Sequence, residues 1–178
     1  MGAPMKLMFV SALAALALAS ASSVQAPLKS GLSPIGFLVG RWASGDGKVA
    51  DTGGASRGSS LFTVEANGDV LLRRDHTELF NAQGKPAGGF DQIMMIYADA
   101  GSIHADYSGE GHLIHYVSAE VSPGRSVVFT SARQPGAPVF RLGYVLQADG
   151  ALGVSFAMAP PGQAAFQPIA AGVLKRAN

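Results

Sequence analysis

The sequence predicts an all-β fold, an antiparallel up-and-down meander of about 8–10 strands closed into a barrel. Three observations lead there. Of 23 Gly and 10 Pro, all but Gly2 and Pro4 lie beyond residue 26. They make up about a fifth of that part, against an average nearer 12%, and are spread along it as punctuation. The runs between them are β-branched and aromatic, and several alternate apolar with polar residues, as half-buried strands do. No stretch beyond residue 26 sustains a 3.6-residue apolar period, and there is no internal repeat.

Residues 1–26 read as a cleaved export signal. Lys6 is their only charge, residues 7–19 are apolar apart from Ser11, and Val24-Gln25-Ala26 fits cleavage after Ala26. The competing reading is a membrane-anchoring helix. The apolar run is about 13 residues, short of the roughly 20 needed to span a bilayer, and no basic stop-transfer cluster follows. The expected organisation is a signal over 1–26 and one domain over 27–178, periplasmic or secreted, with no transmembrane anchor in the mature form.

The remaining elements follow in order. Ser33 before Pro34 predicts one short helical turn over 33–39, capped by Ser33. A strand follows near 40–43. The glycine-rich segment 43–58 reads as a flexible loop; its Gly47-Lys48-Val49 lacks the Ser or Thr of a phosphate loop. Ala66-Asn67-Gly68-Asp69 is a type I′ hairpin signal joining strands 60–65 and 70–78, because Asn and Gly accept positive φ. After a polar loop over 81–89, strands 93–97 and 102–108 flank a turn at 98–101. Gly109-Glu110-Gly111 leads into 112–121, and Ser122-Pro123-Gly124-Arg125 into 126–132. Strands 139–147 and 151–158 flank Ala148-Asp149-Gly150, and 166–176 closes the chain. Such a meander leaves two open edges, which closure removes.

Composition excludes several classes. The chain has no Cys, hence no disulfide framework, Cys-based zinc site or lipoprotein acylation site. A formal charge of +1 gives no electrostatic case for nucleic acid. With 48% hydrophobic and 14% charged residues, the chain is not of the disordered type.

Phe37-Leu38-Val39-Gly40-Arg41-Trp42 opens the meander and Val173-Leu174-Lys175-Arg176 ends it. The first segment resembles the Gly-x-Trp strand of lipocalin-like (calycin) barrels, and the chain looks closer to the compact bacterial secreted type of unassigned function than to animal odorant carriers. The resemblance implies a central cavity for a small apolar molecule. It also implies barrel closure by a basic residue, Lys175 or Arg176, packed over Trp42.

Polar candidates gather between Arg73 and Tyr116, a stretch that holds all four His. Taking Gly109-Glu110 as a two-residue loop pairs Tyr107 with His112, Ala105 with Ile114 and His104 with His115. One face then carries Ile103, Ala105, Tyr107, His112, Ile114 and Tyr116, joined by Met94 and Ile96. It is the more apolar face and is assigned to the interior. The other carries His104, Asp106, Ser108, Leu113 and His115, with Asp91, Ile93, Met95 and Tyr97.

On the inner face Tyr107, His112 and Tyr116 either orient a ligand or satisfy one another. Tyr144 and Phe156, with Phe140 and Met158, supply wall. On the outer face His104, Asp106 and His115 form a ligand set for Zn²⁺; a solvated surface that happens to carry His is the alternative. Arg73-Arg74-Asp75-His76 reads as a salt-bridged rim or an acid–base or anion site, and His112 is the candidate axial ligand for a haem.

Three functions follow. The first is an exported barrel binding a small apolar or amphipathic molecule. The second is an isomerase or hydrolase using His112 as acid/base. The third is an envelope protein with a filled core and no ligand. No cofactor is assigned.

Overall fold

The computed structural model describes residues 26–44, 47–48 and 54–177. The export-signal reading falls on residues 1–25, outside that range. A short 3-10 turn, η1 (Ser33–Leu38), precedes the strands β1 (Gly40–Ser44) and β2 (Gly47–Lys48). Next come β3 (Ala55–Glu65), a second 3-10 turn η2 (Ala66–Gly68), β4 (Val70–Phe80), β5 (Pro86–Asp99) and β6 (Ser102–Gly109). The chain continues through β7 (His112–Ser122), β8 (Ser126–Ser131), β9 (Val139–Leu146), β10 (Leu152–Ala159) and β11 (Gln167–Arg176).

From β3 to β11 each strand pairs antiparallel with the next, and β1 bridges β3 and β11. The result is the expected all-β barrel, a closed up-and-down ring of 10 strands. The two-residue β2 lies outside this ring and pairs with β3 only.

Two hairpins use the tightest turn. Ala100-Gly101 (φ 47° and 81°) and Glu110-Gly111 (φ 49° and 80°) place both central residues in the left-handed region, the backbone that matches the twist of a hairpin. The second loop corrects the expected register. Glu110-Gly111 turns the chain, not Gly109-Glu110, so Gly109 pairs with His112, Tyr107 with Ile114 and Asp106 with His115. The slip is two residues, so the faces keep their assignment while every partner changes. Ile103, Ala105, Tyr116, Met94 and Ile96 are buried inside the barrel as expected, with Tyr107 and Ile114 packed against them.

Other boundaries also differ. Segment 43–58 is shorter as a loop than expected, because β3 already runs from Ala55. The 81–89 loop shrinks because β5 begins at Pro86 and is paired across a bulge at Leu79/Phe80. Ser33 does not cap η1. Leu32 holds that position without a side-chain bond, and the Ser33 hydroxyl donates back to the Ser30 carbonyl.

The loops at one end, η2 among them, meet the N-terminal segment and η1. The Lys29 amide donates to the Gly68 carbonyl, and the Gly124 amide to the Pro34 carbonyl. A Cβ at Gly68 would sit 2.3 Å from the Pro27 carbonyl oxygen, so only glycine allows this approach. Leu32, Ile35 and Leu38 drive into the barrel base and are fully buried with Trp42, Phe62, Leu71, Ile96, Phe129 and Leu152. The barrel is therefore plugged at this end by close-packed apolar side chains.

Candidate functional site: a cavity with a buried ion pair at its floor

Above that plug the inward positions change character. On β3, Phe62 gives way to Ser60, Gly58 and Ser56; on β11, Leu174 gives way to Gly172 and Ala170. Side chains this small cannot reach the opposite wall, and a cavity of about 330 Å³ remains. A Cβ at Gly172 would meet no atom within 4 Å. The wall is two-sided. Ser44, Ser56, Ser60 and Thr77 bring hydroxyls from one side, while Ile114, Leu142, Val154, Phe156 and Leu174 bring hydrocarbon from the other. Phe156 is stacked on Phe140 at 5.7 Å between ring centroids.

The floor is set by β4, where Arg73 and Asp75 both point inward. Met94 and Gln92 of β5 lie opposite them. Arg73 is buried and forms an ion pair with Asp75. It also donates to the Tyr144 hydroxyl, to Gln92 Oε1 at 3.3 Å and to Met94 Sδ at 3.6 Å. The Tyr107 ring lies 5.9 Å from its guanidinium carbon. Two buried atoms of this network have no partner, Arg73 Nε and Asp75 Oδ1. Gly109 makes room for it: a Cβ there would fall 2.7 Å from the Tyr107 hydroxyl and 2.8 Å from Gln92 Cγ.

The network sets the proton affinities. Burial works against the Arg73 charge, but Tyr144 and Asp75 outweigh it and the net shift is upward. Burial pushes the Tyr144 phenol up to about 12, with Arg73 opposing and Asp75 adding to the rise. The Tyr116 phenol is driven well above its ordinary range, first by burial and then by neighbouring Tyr144. Tyr107 is also raised by burial, against the pull of Arg73. All three are neutral hydroxyls at physiological pH.

Of the residues expected to meet a ligand, Tyr107, Tyr116, Tyr144 and Phe156 line this cavity together. His112 does not. The register difference carries it to the first pair of β7, opposite Gly109, where its side chain is exposed at the mouth. No His lines the cavity, and His112, expected inside it as a base or haem ligand, lies outside the lining.

Trp42 and Arg176, the pair expected at the barrel closure, are in contact. The Arg176 guanidinium lies 4.4 Å from the indole centroid and donates to the Val39 and Phe37 carbonyls. Trp42 Nε1 donates to the Leu38 carbonyl at 2.7 Å. Gly40 is needed for its φ of 119°, which L side chains rarely adopt, and a Cβ there would also push Arg176 Nη1 aside.

The expected cross-strand His104–His115 pair is replaced. His115 lies opposite Asp106 and bonds it through Nδ1 at 2.7 Å, while His104 stacks on Tyr97. His104, Asp106 and His115 thus do not converge, and among the described residues no group of three His, Cys, Asp or Glu is placed to hold a metal ion. A matching pair, His76 Nδ1 to Asp91 Oδ1 at 2.7 Å, lies on the neighbouring outer face.

The sequence reading misses Gln92 and puts Arg73 and Asp75, as part of 73–76, at a salt-bridged rim or an acid–base or anion site, not at the floor of the cavity. Their signal was parity: Arg73 pairs with Met94, so once Met94 is placed inside, Arg73 and Asp75 follow. What looked like a charged rim is the cavity floor. A scan against protein-family models and a search of curated proteins both find no match to this chain.

Proposed function

We propose that the protein is an exported carrier that binds one small amphipathic molecule inside the barrel, in the manner of a lipocalin-like protein. One observation carries this reading: the plug fills only one half of the barrel, and the other half is a cavity with hydrocarbon on one wall and a charged, hydrogen-bonding floor. A protein with a filled core has no use for small inward residues at 56, 58, 60, 170 and 172. The volume is at the lower end of the range for small-molecule pockets. The Gly-x-Trp strand with Arg176 over Trp42 supports the lipocalin-like assignment, and the apolar run over 7–19 supports export.

The neutral fluorophore N-phenyl-1-naphthylamine tests it. Titration should give saturable fluorescence enhancement at about one probe per chain, and Gly172→Phe, which fills open space, should abolish the enhancement without lowering the melting temperature. Equal enhancement in Gly172→Phe would place the probe elsewhere and end the proposal.

A further inference from the structure

The floor of the cavity also specifies the head group of its ligand, an inference that rests on the carrier reading above. We propose that the cavity selects a neutral head that both donates and accepts hydrogen bonds, an alcohol or phenol, and discriminates against carboxylates and amines.

A buried arginine beneath an apolar cavity suggests a counter-ion for an acid. Here that role is already filled from within the chain, because Asp75 forms the ion pair with Arg73. The floor carries one positive and one negative charge, so an entering anion gains no net attraction and loses its hydration.

The hydrogen-bond inventory points the same way. Both Arg73 terminal nitrogens are engaged, by Tyr144 and Met94 on one side and by Asp75 and Gln92 on the other. Asp75 Oδ1 accepts nothing. Tyr144 accepts from Arg73, which leaves its own O–H free to donate. Tyr116, which also lines the cavity, makes no side-chain hydrogen bond among the described residues.

The unused capacity is therefore one carboxylate acceptor, Asp75 Oδ1, beside three donors, the Arg73 Nε–H and the Tyr144 and Tyr116 hydroxyls. A ligand hydroxyl serves both at once, giving its proton to Asp75 and accepting from Tyr144 or Tyr116. A ligand carboxylate can accept from these donors, but it has no proton to give Asp75 Oδ1 and brings a second negative charge beside it. An ammonium satisfies Asp75 but has no lone pair for the phenols and sits beside Arg73. The same neutral pair that stabilises the floor thus acts as a filter.

The experiment is calorimetric titration at neutral pH with three ligands sharing one tail: 4-butylphenol, 4-butylbenzoate and 4-butylbenzylamine. The wild type should bind the phenol at least tenfold more tightly than either charged compound. Asp75→Asn removes the negative charge and leaves Arg73 unneutralised, so preference should move at least tenfold toward the benzoate. Benzoate binding as tight as phenol binding in the wild type overturns the proposal without any variant. An unchanged ranking in a folded Asp75→Asn protein also overturns it. If none of the three binds while N-phenyl-1-naphthylamine does, the head-group inference fails and the carrier reading survives. If the fluorophore fails as well, both fall.

Discussion

Arg73 is the one buried charged side chain among the described residues, and its charge is the most exposed to the loss of a partner. Its pair with Asp75 is buried, and removing one member leaves the other charged without compensation. Arg73→Met should lower unfolding free energy by about 3–5 kcal/mol in urea denaturation, and the double variant Arg73→Met/Asp75→Leu should recover most of that loss. Recovery identifies the orphaned charge, not lost packing, as the cost.

The same neighbourhood gives a pH dependence. The folded Tyr144 phenol is held at about 12, against roughly 10 when unfolded. Its neutral form is favoured by folding, so the contribution is complete below pH 10 and disappears as pH rises through the folded value. On the order of 2–3 kcal/mol is lost across that window. Alkaline titration followed by tyrosinate absorbance should show Tyr144 ionising only together with unfolding, and Tyr144→Phe should move that transition to a different pH. Independent ionisation near 10 would contradict the burial argument.

Elements were legible to different degrees, for reasons that can be named. Hairpin turns announce themselves because each connection from β3 to β11 holds a Gly at positive φ, so the ring of strands was readable. Register within a hairpin was not: Gly109, Glu110 and Gly111 offer two adjacent two-residue loops, and local chemistry does not choose between them. The choice is tertiary. Gly109 is kept in the strand because Tyr107 and Gln92 occupy the space a side chain would need. That two-residue difference alone moves His112 from a cavity position to the mouth. Segment 55–58 reads as loop because Gly and Ser weaken the strand signal, and its small residues Ser56 and Gly58 help create the cavity.

The closure of β1 onto β11 was readable from Gly40, Trp42 and a terminal basic residue. Arg176→Leu removes the cation–π contact and the bonds to two carbonyls of the η1–β1 connection. A loss of about 1–2 kcal/mol is expected in thermal denaturation. A change in Trp42 fluorescence should accompany it, since Trp42 is the only Trp of the chain. An unchanged melting temperature would show that the contact does not hold the barrel shut.

At the scale of the molecule, one barrel is divided into a dry plug and a cavity. The plug was foreseeable from apolar alternation. The cavity follows from where inward positions turn small, a pattern visible only once the facing of β3 and β11 is known. The outer surface offers a rival place for an apolar ligand, because Ile93, Leu113 and Val117 are exposed on β5 and β7. Methyl resonances separate the two. With the neutral fluorophore added, shifts should be confined to Ile114, Leu142, Val154 and Leu174 around the cavity, leaving Ile35 and Leu71 in the plug unmoved. Shifts restricted to Ile93, Leu113 and Val117, or none at saturating probe, would contradict the account of this protein as a carrier with an internal ligand site.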